Sequence, residues 1–157
     1  MKIQATINFE FLYDEYLKGT KGVVLVGGTR SSKTVSAVQF IFWYCLTNKG
    51  KQLAVCRDTL KNLKRTTLKD FEEIAYGLGY PAALYPSLRI NKADLFCEIN
   101  GNRIEFIGLI DDPMRTHGLK TDVFYINEAV STYKFTFDQL KQRCNEFFIL
   151  DCNPSER

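Results

Sequence analysis

The sequence has 157 residues, 45% of them hydrophobic, and a net charge of +3. That size suits one domain with a real core, and its longest apolar run, residues 40–46, is too short to span a bilayer. The charge is mildly basic, compatible with a nucleic-acid partner but too weak to imply one. No signal peptide, internal repeat, low-complexity segment or linker is visible. The five cysteines are an odd set without C-x-x-C spacing, and they read as buried free thiols in a reducing cytosol.

In chain order, Phe9, Phe11, Leu12, Tyr13 and Tyr16 form an aromatic cluster ahead of a Lys-Gly-rich stretch. It reads as a segment packing onto a sheet edge, or as a wall for an adenine base, since aromatic faces stack on bases. Then comes Val23-Val24-Leu25-Val26, a short buried strand, followed by Gly27-Gly28-Thr29-Arg30-Ser31-Ser32-Lys33-Thr34 and a long apolar run. Strand, glycine-rich loop and helix are the context of a phosphate-binding loop. The spacing fits G-x-x-x-x-G-K-[ST] except that Ser32 stands where the second glycine is usual. Backbone N–H groups turned inward cradle phosphate oxygens, and a helix N-terminus faces the anion. Lys33 is expected to reach the β- and γ-phosphates of ATP, and the Thr34 hydroxyl to bind Mg²⁺.

Residues 33 to about 48 read as a helix apolar on most sides, hence buried between layers. Residues 52–57 read as the next strand, joined by a right-handed parallel crossover. Leu60, Leu63, Leu68, Phe71, Ile74, Ala75 and Leu78 recur at helical spacing, with Asp58 as the cap and Gly79 as the stop. The outer face carries Lys61, Lys64, Arg65 and Lys69, read as a solvated face or a DNA-facing patch. Residues 94–108 alternate around Asn100-Gly101, a hairpin signal with Leu95, Cys97 and Ile99 on one side. The stretch 111–122 reads as a loop with the single histidine, His117, read as solvent-exposed, with a catalytic role as the lesser alternative; Arg115 and Lys120 flank it and are candidates to touch phosphate or a neighbouring subunit.

Val123-Phe124-Tyr125-Ile126 is an apolar strand ending in Asn127-Glu128. In ATPases with such a loop, the strand beside it ends in an acidic residue that holds Mg²⁺ through water, and a following glutamate polarises the attacking water. Glu128 has the second place; Asn127 has the metal-side place and offers a neutral oxygen. A last strand, 147–152, ends in Asn153-Pro154. Its polar edge is either a γ-phosphate sensor at Asn153 or a turn initiated by Asn-Pro.

Gly27-Gly28-Thr29-Arg30-Ser31-Ser32-Lys33-Thr34, the run from Gly118-Leu119-Lys120-Thr121-Asp122 into Tyr125-Ile126-Asn127-Glu128-Ala129, and Asn153-Pro154 together resemble the N-terminal ATPase half of a tailed-phage terminase large subunit. The resemblance runs from about residue 8 to the end. It implies an ATPase with an added strand and a catalytic glutamate, driving double-stranded DNA into a procapsid. It carries over Lys33 and Thr34 as phosphate and Mg²⁺ ligands, Glu128 as the catalytic carboxylate and Arg30 as a charge stabiliser on the γ-phosphate. Asn153 falls in the motif that couples hydrolysis to motion. The family further implies a portal and a small subunit as partners, a ring homo-oligomer and the host-cell cytoplasm. Ser32 and Asn127 depart from its pattern. No cluster of nuclease carboxylates is present, so the chain is expected to be a fragment or a short relative.

The expected architecture is α/β: a three-layer, largely parallel sheet with helices on both faces and an inserted β-hairpin, forming one domain over residues 1–157. The expected function is ATP-driven DNA packaging. A non-hydrolysing nucleotide-binding module and a small-molecule kinase are the alternatives.

Overall fold

The computed structural model describes residues 5–29, 31–77 and 89–154. Arg30, Leu78 and Gly79, all used in the sequence reading, lie outside the described residues. Seven strands form one sheet in the order β1-β7-β6-β2-β5-β4-β3: β1 (Gly22–Val26), β2 (Gln52–Arg57), β3 (Arg89–Asn91), β4 (Phe96–Ile99), β5 (Asn102–Gly108), β6 (Thr121–Ile126) and β7 (Cys144–Cys152). β1, β7, β6, β2 and β5 run parallel; β4 and β3 continue antiparallel. β1 and β2 are parallel, as the crossover predicts, but two strands lie between them. Among the described residues β1 pairs on one side only, with β7.

The helices fall on both faces, giving the three layers. α1 (Ile7–Leu17), α2 (Lys33–Thr47) and α4 (Leu68–Gly77) cover one face over a core that includes Phe40, Ile41, Phe71, Phe106, Val123 and Ile149. On the other face α6 (Lys134–Gln142) packs Leu140 and Phe137 over Phe124 and Phe148. Each fully buried side chain of this size contributes roughly 1.5–3 kcal/mol. α2 is buried because its apolar residues leave no wet stripe. The aromatic residues of α1 pack chiefly on α2 rather than on a sheet edge: Tyr13 meets Trp43 edge-on at 5.0 Å and Tyr16 meets Phe40 at 5.6 Å.

The buried hydroxyls of Tyr16 and Tyr44 need acceptors, and both donate to Glu146 on β7, at 3.0 and 2.8 Å; Lys51 donates to the other carboxylate oxygen at 2.5 Å. Burial opposes ionisation of Glu146, but the bonds from Lys51, Tyr44 and Tyr16 outweigh it and hold the carboxyl below its ordinary range. Burial, with Glu146 beside it, pushes Tyr16 up to about 12. The cluster ties α1, α2 and β7 together at the end of the sheet away from the glycine-rich loop.

The hairpin follows its sequence signal. Asn100 (φ 50°) and Gly101 (φ 76°) make the tight turn, and Cys97, Ile99, Ile104 and Phe106 face the core. Three local readings are corrected. The helix after β2 starts on Thr59, whose hydroxyl accepts from Asn62 N; Asp58 instead accepts from Thr59 N and the Asn62 amide. That helix is not continuous: a π-helical turn, Leu63–Thr67, separates the short α3 (Leu60–Asn62) from α4. The stretch 111–122 contains a helix, α5 (Pro113–Gly118), capped by Asp112. His117 is half-buried on it, against Phe135, and Arg115 pairs with Glu105. All five cysteines are free; Cys45, Cys56 and Cys97 are buried, and burial pushes the Cys56 and Cys97 thiols up to about 12. No helix among the described residues is long and apolar enough to cross a membrane.

Candidate active site

The parallel strands end together. Val26 is level with Cys152, Leu150 with Ile126, and Ile126 with Cys56. The segments that follow β1, β6 and β7 therefore meet at the C-terminal edge of the sheet, the ligand side of an open α/β fold. A cleft of about 580 Å³ opens there. Its lining brings together Thr29, Ser32, Lys33 and Thr34 of the loop and α2, Asp70 and Glu73 of α4, Glu128 after β6 and Asp151 of β7.

The loop from β1 to α2 is tied to itself. The Lys33 ammonium, largely buried, donates to the carbonyls of Gly27 (2.6 Å) and Gly28 (2.8 Å) and to Ser31 Oγ (2.8 Å), using its three donors. A Cβ on Gly27 would lie 2.9 Å from Ser31 Oγ, so a larger residue there would have to displace that hydroxyl from its bonds to the loop; a Cβ on Gly28 meets open space. Ser32 takes the left-handed conformation, φ 54° and ψ 15°. This is the position where glycine is usual, and a side chain there costs about 1–2 kcal/mol. α1 braces the loop from outside: Asn8 donates to the Ser31 carbonyl at 2.8 Å, and Thr6 shares a hydrogen bond with Ser36 on α2. The sequence reading did not single out Asn8 or Thr6, since nothing local marks a contact across more than twenty residues.

Glu128 directly follows β6 and also sits in the left-handed region, φ 55° and ψ 55°. Its N–H donates to Asp151 Oδ1 at 2.7 Å and its carbonyl accepts from Ser131 Oγ at 3.0 Å. A non-glycine residue held at positive φ beside a cleft is strain of the kind found at active sites. β6 is not beside β1: β7 lies between them, so the strand neighbouring the loop strand is the one that ends at Asn153. Asn153 is buried at that edge.

Asn127 is 4% exposed. Its Oδ1 accepts from Arg57 Nη1 (2.7 Å) and Thr67 Oγ1 (2.8 Å); its Nδ2 donates to Tyr125 OH and Asp151 Oδ2, both at 3.0 Å. Tyr125 also donates to Asp151 and is within side-chain hydrogen-bond reach of Thr34. Burial first, then the Asp151 charge, raise this phenol well above its ordinary value, so it acts as a donor. Across the cleft, burial and then Glu73 raise the Asp70 carboxyl.

Arg57, Thr67 and Asp151 were missed by the sequence reading. Asp151 did carry a signal: a carboxylate that directly follows the apolar run Phe147-Phe148-Ile149-Leu150 in a buried strand must find partners, because an unpartnered buried charge is too costly. The donor set facing the cleft, a threonine hydroxyl and carboxylates, is of the hard-oxygen kind that suits Mg²⁺. Among the described residues no cluster of three or more His, Cys, Asp or Glu forms a dedicated metal cage.

The sequence profile of phage terminase large subunits matches residues 20–156. Among curated proteins none matches. Solved structures are similar across nearly the whole chain. The large terminase of a thermophilic bacteriophage superposes with a TM-score of 0.77 at 16% identity, over 97% of this chain and 40% of that one. The same thermophilic-phage protein in complex with ATP-γ-S gives 0.72 at 16% identity, over 96% and 38%. The HK97 bacteriophage large terminase gives 0.70 at 14% identity, over 97% and 33%. At these identities the likeness shows the fold. The chain spans about 40% of the length of the thermophilic-phage protein.

Proposed function

The chain belongs to the phage terminase large subunit family, and from that premise we propose that residues 1–157 form an ATP-hydrolysing motor domain that drives double-stranded DNA into a procapsid. The observation that carries this reading is the convergence of Lys33, Thr34 and Glu128 on one cleft at the C-terminal edge of the sheet. The ATP-γ-S complex of the thermophilic-phage relative supports the choice of nucleotide.

The chain's own groups divide the work. The loop amides and the α2 N-terminus receive the phosphates. Lys33 exchanges its carbonyl partners for β- and γ-phosphate oxygens. Thr34 holds Mg²⁺ on the loop side; when bound, the ion neutralises charge on the β- and γ-oxygens. Glu128 orients a water in line with the γ-phosphate. Arg30 stabilises charge on that phosphate, and Asn153, at the edge of the strand between β1 and β6, senses its loss. The portal, the small subunit, a ring of like subunits and the host cytoplasm complete the proposal by family membership.

Steady-state phosphate release from Mg-ATP tests it. Turnover is expected; nucleotide binding with no release, even with DNA and a procapsid present, would make the chain a non-hydrolysing module. A kinase would instead transfer phosphate to an added acceptor.

The DNA surface has its own test. Lys61, Lys64, Arg65 and Lys69 are all exposed along α3, the π turn and α4. Changing the four to Ala is expected to flatten the dependence of log affinity on log salt by about 0.9 for each phosphate no longer neutralised. An unchanged slope would leave this as a solvated face.

A further inference from the structure

Asn127 stands where the metal-side carboxylate is expected, yet its amide has no position left for a metal or for water on one. An amide oxygen has two lone pairs and its nitrogen two protons. Arg57 and Thr67 take the oxygen; Tyr125 and Asp151 take the nitrogen. The neighbouring strand offers what residue 127 does not. Asp151 is 1% exposed and lies on the cleft with Lys33 and Thr34. It is oriented by three neutral donors: Glu128 N on Oδ1, and Tyr125 OH and Asn127 Nδ2 on Oδ2.

The geometry points to Asp151 as the carboxylate that holds Mg²⁺ through water in this chain, with Asn127 as its positioning residue; the assignment rests on the ATPase reading above. Two features carry it. A carboxylate has about four acceptor positions, and three are filled, which leaves one on Oδ1 for a water on the ion. Among the described residues no cation pairs with Asp151, because the nearby guanidinium of Arg57 is turned to Asn127 and Asp58. A buried carboxylate held only by neutral donors is an unbalanced charge, and a divalent cation in the cleft balances it. Tyr125, which donates to Asp151, is also within side-chain reach of Thr34, so the two metal-side groups share a neighbour. The carboxylate has in effect moved from the end of β6 to the end of β7.

Mn²⁺ is the probe, titrated into the full chain with saturating ADP and read as free ion by electron paramagnetic resonance. Asp151→Asn is expected to weaken Mn²⁺ about 10-fold or more, with ADP affinity in EDTA unchanged. Asn127→Asp is expected to weaken Mn²⁺ binding rather than tighten it, because one oxygen of the new carboxylate stays paired with Arg57 and the other replaces the donor to Asp151 Oδ2 with a like charge. Asp151→Asn binding Mn²⁺ as the parent does, or Asn127→Asp tightening Mn²⁺ about 10-fold, would overturn the assignment. Should Asp151→Asn fail to fold, the Asn127→Asp titration decides alone. A parent that binds ADP but never retains Mn²⁺ also overturns it. A parent that binds no ADP, with or without Mn²⁺, fails the ATPase reading itself and takes this assignment with it.

Discussion

Glu128→Gln is expected to lower single-turnover ATP hydrolysis by about 100-fold or more, the usual scale for loss of a general base, while ATP affinity stays near that of the parent. The structure says why the two effects separate. Glu128 is fixed by its backbone: its N–H binds Asp151 and its carbonyl accepts from Ser131. Glutamine keeps those bonds, the side-chain length and the cost of the left-handed conformation. What changes is the side-chain charge, which on the proposed mechanism polarises the water. Single-turnover rates at saturating nucleotide keep binding apart from chemistry. A variant hydrolysing as fast as the parent would remove Glu128 from the mechanism.

Lys33→Ala is expected to weaken Mg-ATP binding by roughly 10- to 100-fold, since hydrogen bonds to a charged group contribute about 1.5–3 kcal/mol and each 1.4 kcal/mol is tenfold in affinity. The ammonium also bonds two loop carbonyls and Ser31 Oγ, so its loss slackens the loop that presents the amides. Both effects act in the same direction. Calorimetric titration of parent and variant measures the sum, and thermal melting checks that α2 stays packed. Equal affinities would remove the phosphate-loop assignment.

Much of this site could be read from the chain because its parts are contiguous. β1, the loop and α2 form one run, and β6 with Glu128 another. Apolar patterning set those strands, and the loop spacing set the position of Lys33. The hairpin was legible because Asn-Gly favours the left-handed turn it adopts. What escaped was lateral. No local signal gives the order β1-β7-β6, since pairing between strands over a hundred residues apart is a property of the assembled sheet. The π turn escaped because Leu63 to Leu68 keeps a helical pattern while one residue is added to the turn. The partners of Asn127 escaped for the same lateral reason: Arg57 comes from β2, Thr67 from the π turn and Asp151 from β7. Residue 127 read alone is a weak metal ligand; read with its neighbours it is a saturated amide.

Among the described residues β1, the strand that carries the glycine-rich loop, is also an outer strand of the sheet. Its valines Val24 and Val26 are 53% and 63% exposed, while the strands carrying Glu128 and Arg57 are paired on both sides and buried. Local opening is therefore unevenly distributed across the cleft. Amide exchange at β1 needs only one ladder to part, whereas exchange at β6 needs two and approaches the cost of global unfolding. The glycine-rich loop belongs to the compliant margin of the molecule, and Glu128 hangs from its most persistent part.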